Sequence, residues 1–243
     1  MSNVSISTNK LTIGYGPTVI QRDLTFSLPA GEMVCMLGPN GCGKSTLLRT
    51  LAGLQPALSG EYTHSDAKNI ALVLTERLSM DNTTVHDVVA LGRYPYSSFL
   101  DGLKLEDEQI IAESLKQVGF DNRESLIENS FFNAHSDGEK QRILIAKALA
   151  QQTPIILLDE PTAHLDLPHR ILILRLLRQL AHEQGKTILI STHELDLALA
   201  LSDRILLMTP GKGIQLDTAE NLKKANAFTS AFSMDIFNPL GVE

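Results

Sequence analysis

The chain is short of several things, and each shortage removes a class of protein. Its 243 residues include two cysteines, Cys35 and Cys42. That is too few for a disulfide framework and suits a reducing compartment. Lysine and arginine number 21 against 28 aspartates and glutamates, a formal net charge of −7. This balance argues against a protein held to nucleic acid by bulk positive charge. No apolar run approaches the roughly eighteen residues of a membrane span. The start, Met1-Ser-Asn-Val-Ser-Ile-Ser-Thr8, is polar and lacks the basic end and apolar core of a signal peptide. Low-complexity tracts and internal repeats are missing too. The expectation is a soluble cytosolic α/β protein, long enough for a sizeable core.

What is present begins at Gly38–Thr46, Gly-Pro-Asn-Gly-Cys-Gly-Lys-Ser-Thr. It fits G-x-x-x-x-G-K-[ST], with Gly38, Gly43, Lys44 and Ser45 in the fixed places and Pro39, Asn40, Gly41 and Cys42 between them. Glycines let backbone N–H groups turn inward on phosphate oxygens, and the following helix points its positive end at them. Lys44 can neutralise β- and γ-phosphates, and Ser45, beside Thr46, can offer its hydroxyl to Mg²⁺. The context agrees. Glu32–Leu37 is an apolar strand entering the loop, and Ser45–Ala52 is a good helix leaving it. Nucleotide phosphate binding is therefore expected here.

Around this loop the pattern alternates. Val4–Ser7, Lys10–Ile13, Thr18–Ile20 and Leu24–Leu28 read as half-buried antiparallel strands, with a turn at Gly14–Pro17. Tyr15 on that turn could stack on an adenine ring. Asn69–Leu74 is an apolar strand ending in Thr75-Glu76. The texture then becomes helical: Thr84-Val-His-Asp87 has capping-box spacing and opens a helix through Leu91. Arg93–Ser98 breaks it, and Glu106–Val118 is amphipathic with Ile110, Ile111, Leu115 and Val118 on one face. Residues 77–150 thus read as a helical insertion between two parts of one α/β core, 1–76 and 151–243. Pro154–Asp159, Lys186–Ser191 and Arg204–Met208 are continuous apolar runs, typical of strands covered on both faces. Helices over 168–183 and 194–201 separate them. Strand–helix alternation about a phosphate loop predicts a mostly parallel, doubly wound sheet.

Asp159 and Glu160 fall at the carboxyl end of the most apolar strand, where open α/β sheets bind ligands. Asp159 could hold Mg²⁺ opposite Ser45, and Glu160 could act as general base toward the attacking water. His193 follows the next strand in Ser191-Thr-His-Glu194. A lone histidine there is more often structural, but one strand over from Asp159 it could reach a γ-phosphate.

The ordered set of Gly38–Thr46, His135-Ser-Asp-Gly-Glu139, Ile155–Glu160, Ala163-His-Leu-Asp166 and His193 resembles the nucleotide-binding subunit of ABC transporters, over nearly the whole chain. Ser136 and Gly138 match the family signature Leu-Ser-Gly-Gly-Gln, with Gln141 and Arg142 following; His135, Asp137 and Glu139 depart from it. The resemblance implies a P-loop NTPase core with an N-terminal antiparallel β subdomain and an inserted helical subdomain. It further implies ATP and Mg²⁺, and a head-to-tail homodimer in which Ser136 and Gly138 of one copy meet the γ-phosphate on the other. Asp166 would be the D-loop aspartate at the seam. Glu76 stands where the family has the Q-loop glutamine, a carboxylate that can still face Mg²⁺ but cannot donate hydrogen bonds.

Val88–Tyr96 contains Gly92-Arg93-Tyr94-Pro95 and is similar to the ATPases that import iron–siderophore complexes, haem and cobalamin. In them this region contributes to the groove for the permease. The expected partners are transmembrane permease subunits and a substrate-binding protein, with no nucleic acid. The expected location is the cytoplasmic side of the inner membrane, peripheral through the permease. An ATPase serving another transport system would share the same ATP chemistry. A soluble ABC protein acting on DNA or ribosomes is disfavoured by the lack of a second nucleotide-binding half, of a long coiled-coil insertion and of basic excess.

Overall fold

A computed structural model describes residues 4–64, 70–74, 82–96, 102–120 and 130–233. The N-terminal alternation forms two long strands, β1 (Val4–Tyr15) and β2 (Thr18–Pro29), rather than the four short ones expected. The expected breaks are irregularities inside the strands. Lys10 and Asp23 take left-handed φ values of 50° and 53°, and the β1–β2 register shifts between Thr8 and Leu11. A bulge of this kind bends a strand without ending it. Only Gly16 and Pro17 remain as the turn between them.

A further strand, β4 (Ser59–His64), pairs with the other side of β1 and completes an antiparallel sheet of order β2-β1-β4. The sequence reading missed it, because Ser-Gly-Glu-Tyr-Thr-His offers only one apolar side chain.

The second sheet holds six strands in the order β5-β6-β7-β3-β8-β9. They are β3 (Met33–Leu37), β5 (Ile70–Val73), β6 (Ile155–Asp159), β7 (Thr187–Ser191), β8 (Arg204–Thr209) and β9 (Gly213–Asp217). The first five in that order are parallel, and β9 returns antiparallel to β8. Successive side chains of a strand point to opposite faces, and here both faces are dry. Met33, Cys35 and Leu37 of β3 join one core with Ile156, Leu158, Ile188, Ile190, Ile205 and Leu207. Val34 and Met36 join the other with Ile155, Leu157, Leu189, Leu206 and Met208. That division explains why these strands read as unbroken apolar runs. The antiparallel sheet and helix α1 (Lys44–Leu51) cover the second face.

Helices α2 (Val85–Ala90), α3 (Leu105–Gln117) and α4 (Asp137–Ala150) contribute Val85, Val88, Ile111, Leu115, Ile143 and Ala146 to the first core. Thr84 caps α2 through the expected box, its hydroxyl accepting the Asp87 N–H at 3.1 Å. α2 ends one residue early, and a 3₁₀ turn over Leu91–Arg93 follows. On α3 the expected face holds, with Ile111, Leu115 and Val118 buried and Ile110 packed against them. The remaining helices are α5 (Leu167–Gln184), α6 (Leu195–Leu201), α7 (Ala219–Lys224) and α8 (Ala227–Phe232). Among the described residues no helix is long and apolar enough to cross a membrane.

Candidate active site

The phosphate loop joins β3 to α1 at the carboxyl edge of the parallel sheet. Gly43 is the N-cap of α1 with φ 104°, a conformation that L side chains rarely adopt, and an added Cβ would come within 2.8 Å of Ile20. Glycine is therefore required where the loop enters the helix. The Lys44 ammonium is buried and donates to the carbonyls of Gly38 at 2.9 Å and Pro39 at 3.3 Å. It folds back over the loop, where a phosphate oxygen would take over these bonds. Gln21 braces the loop from β2, its amide donating to the Cys42 carbonyl at 3.2 Å and to Thr209 at 3.4 Å. Thr46 Oγ1 donates to the Tyr15 hydroxyl at 3.2 Å, and Tyr15 is 49 % exposed. The ring thus stands at the mouth of the loop with surface to spare. Burial pushes the Cys42 thiol up from its ordinary value against the pull of nearby Lys44.

Below the loop, Ser45 Oγ donates to Asp159 Oδ1 at 3.0 Å, bringing together the two side chains expected to face Mg²⁺. Two oxygens on neighbouring corners of an octahedron with bonds of about 2.1 Å stand about 3 Å apart, so this donor pair fits Mg²⁺ in spacing and hardness. Among the described residues no three His, Cys, Asp or Glu form a metal cage. A Mg²⁺ ion completed by waters and substrate phosphates needs none. Glu76, the third expected ligand, lies outside the described residues.

Ser191 is the residue the sequence reading overlooked. It ends β7 directly opposite Asp159 in the β6–β7 register. Its hydroxyl donates to Asp159 Oδ1 at 2.5 Å and accepts the backbone N–H of Glu160 at 2.9 Å. One side chain therefore orients both acids. The only sequence signal was a serine at the carboxyl end of a buried strand. Glu160 takes φ 44°, left-handed for a residue that is not glycine. Such backbone costs on the order of 1 kcal/mol or more and persists where neighbours hold it; here the two bonds to Ser191 do so. The turn sends the Glu160 side chain toward His193, whose Nδ1 lies 3.5 Å from Glu160 Oε1. Asp159, Glu160, His193, Lys44 and Ser45 thus meet at one end of the sheet.

Ser136 and Gly138 begin α4, where no described hydrogen bond or ion pair joins them to the phosphate loop. Ser136 is the N-cap, and Glu139 closes a reciprocal box, its Oε2 accepting the Ser136 hydroxyl at 2.8 Å and the Ser136 N–H at 3.0 Å. An acid suits this acceptor role better than an amide. The hydroxyl bond from Ser136, then the backbone one, hold the Glu139 carboxyl below its ordinary range. His135 bonds to Ser130 through Nε2 at 2.6 Å. Two of the three departures from the family signature therefore have local structural partners. Asp166 is the N-cap of α5, with His169 donating to its carboxylate through both backbone and ring.

In the 3₁₀ turn after α2, Gly92 and Arg93 point inward. Arg93 is 5 % exposed and donates to Asp107 at 2.8 Å, the Ala150 carbonyl at 2.8 Å and Gln152 at 3.0 Å. Its guanidinium also stacks over Tyr96, 4.3 Å from the ring centre. Tyr94, 70 % exposed, faces outward, and Pro95 and Tyr96 after it are exposed as well. A cavity of about 220 Å³ is lined by Leu72, Leu74, Leu144, Lys147 and Gln151, and the Gln151 carbonyl accepts the Tyr96 hydroxyl at 2.7 Å.

Comparison with known proteins identifies the family. Residues 21–163 match the family described as ABC transporter. The chain is 38 % identical to the iron(3+)-hydroxamate import ATP-binding protein FhuC of Bacillus subtilis (strain 168), covering 95 % of this chain and 88 % of that protein. Among solved structures it is similar to an inward-facing metal-chelate type ABC transporter, with a TM-score of 0.86 and 29 % identity over 96 % of this chain and 90 % of that one. It also matches the dimeric structure of a bacterial ABC transporter cassette, with a TM-score of 0.73 and 27 % identity over 88 % of this chain and 98 % of that one. With a P-loop NTPase core, a matching family over more than half its length and these relatives, the chain belongs to the ABC transporter family: it is an ATP-binding subunit, an ATPase coupled to transport.

Proposed function

We propose that this subunit hydrolyses ATP to energise an importer of iron–siderophore, haem or cobalamin-type chelates. The observation that carries the hydrolytic reading is the convergence of Ser45, Asp159, Glu160 and His193, with Ser45 Oγ 3.0 Å from Asp159 Oδ1 and His193 Nδ1 3.5 Å from Glu160 Oε1. The cargo class is supported by the likeness to an iron(3+)-hydroxamate import protein.

In this reading Gly38–Thr46 cradles the phosphates, Lys44 neutralises the β and γ groups, and Tyr15 offers its ring face to the base. Ser45, Asp159 and Glu76 would hold Mg²⁺, which would neutralise phosphate charge when bound. Glu160 accepts a proton from the attacking water, and His193 reaches the γ-phosphate. Ser136 and Gly138 act on the nucleotide of a second copy, with Asp166 at the seam, so the homodimer is the working unit. Residues 77–150 form a helical subdomain on a core of 1–76 and 151–243. The dimer sits on transmembrane permease subunits at the cytoplasmic side of the inner membrane, supplied by a substrate-binding protein.

The test is Glu160→Gln in the full chain. It should bind ATP and accumulate a closed dimer while steady-state hydrolysis nearly stops; unchanged turnover removes Glu160 from the base role. For the cargo, cells carrying the native permease should take up ferric chelates only with the active subunit. Co-purification with ribosomes or DNA in place of a multi-span permease would overturn the transporter reading.

A further inference from the structure

The first turn of α5 joins three segments that the proposed composite site needs. Asp166, its N-cap, accepts the backbone N–H of His169 at 3.1 Å and the ring Nδ1–H at 2.5 Å. An ionised carboxylate only accepts, so Nδ1 carries the proton and the ring is fixed in one orientation. That ring lies against Gly138. A Cβ built on Gly138 would stand 2.7 Å from His169 Cδ2, 3.2 Å from Cγ and 3.4 Å from Nε2. A side chain at this position would therefore have to displace the His169 ring and its bond to Asp166.

The next residue fastens the same turn on its other side. Arg170 Nε donates to the Leu165 carbonyl at 2.5 Å, and its Nη1 lies 3.3 Å from Glu194 Oε1. Thr162 Oγ1 donates to that same oxygen at 3.2 Å. Glu194 directly follows His193 in the chain. One helical turn thus touches the aspartate at 166, the beginning of α4 and the segment that carries His193.

We propose that His169 is a positioning residue, which sets Ser136 and Gly138 for the phosphate of a second copy by holding the start of α4 against the capped start of α5. The proposal rests on the composite-site reading above. His169 does not act on the nucleotide at its own phosphate loop. Its effect falls on the transition state assembled across the two copies, where a misplacement of about 1 Å can cost ~100-fold in rate.

The test uses the full chain, with ADP titration for the phosphate loop and steady-state ATP hydrolysis for the assembled site. His169→Ala should keep ADP affinity within about twofold while kcat falls at least ~10-fold with little change in KM. His169→Asn, whose amide can still donate to Asp166, should recover most of kcat. Gly138→Ala should lower kcat in the presence of His169 yet add little to the loss in His169→Ala, because the clash is then gone. A His169→Ala kcat within twofold of the wild type, or strictly additive losses in the double variant, overturns the proposal. Loss of ADP affinity in both His169 variants also overturns it, since the effect is then general. A wild-type chain that neither hydrolyses ATP nor dimerises on it overturns the composite reading and this inference with it.

Discussion

Gly92 offers the sharpest test of what the Gly-Arg-Tyr-Pro segment does. In Gly92→Ala the new Cβ would fall 2.3 Å from the Lys147 carbonyl oxygen, 3.3 Å from its carbon and 2.9 Å from the Ala150 Cβ. Both neighbours belong to α4, and the closest atom is helix backbone, which cannot rotate away. Relief requires moving the Leu91–Arg93 turn and α4 apart by about 1 Å, against a core that is packed as tightly as an organic crystal. Overpacking of this kind costs typically 1–3 kcal/mol, and a backbone obstacle puts this case near the upper end, ~3 kcal/mol. The same shift would pull Arg93 from the Ala150 carbonyl, now 2.8 Å away. For a chain of this size each kcal/mol lowers Tm by about 2–4 °C, so the variant should melt ~6–12 °C below wild type. Thermal unfolding followed by circular dichroism on the isolated subunit is sufficient, with a urea titration to confirm that the slope is unchanged. If Gly92 serves only to leave room for a permease, the free subunit will not feel the methyl group. A Tm within about 2 °C of wild type would refute the packing argument.

Other expectations are simpler. Lys44→Ala removes the loop's only described ammonium contact with the Gly38 and Pro39 carbonyls; nucleotide titration should show affinity reduced at least ~10-fold, by loss of a charged hydrogen bond to phosphate. Thr84→Ala deletes the α2 cap and should cost about 1 kcal/mol in chemical unfolding. Asp87, Glu139 and Asp166 are each held below their ordinary range, first by the side-chain bond from Thr84, Ser136 and His169 respectively. A carboxyl depressed in the folded state stabilises above its unfolded pKa, near 4, and loses that contribution as pH falls through the folded value. Stability should thus fall below about pH 4, and the Glu139→Gln variant should show a shallower acid slope; an identical slope would exclude Glu139 as a contributor.

How far the sequence could be read depends on how local each interaction is. The phosphate loop is local: nine consecutive residues carry the glycine at the N-cap, the lysine and the serine, and the strand and helix beside them have plain periodicity. Asp159 and Glu160 were placed by a rule about strand ends, and His193 by its parallel position one strand over. Ser191 escaped because its importance comes from the β6–β7 register, which sets it opposite Asp159 across 32 residues of chain. β4 escaped because one tyrosine cannot make a periodicity, and the interior breaks of β1 and β2 were misread because a bulge resembles a turn when only one strand is in view.

The same argument explains why the signature segment was only half legible. Ser136 and Glu139 form a box that three-residue spacing announces, and the carboxylate that departs from the family pattern is the better acceptor for it. Gly138 carries no such local mark. Its lack of a side chain is dictated by a ring on α5, 31 residues further along, whose orientation is in turn dictated by Asp166. A glycine in the first turn of a helix costs stability relative to alanine. Here the histidine that excludes alanine also ties that helix to the cap of α5, so the local loss comes with a link between distant segments.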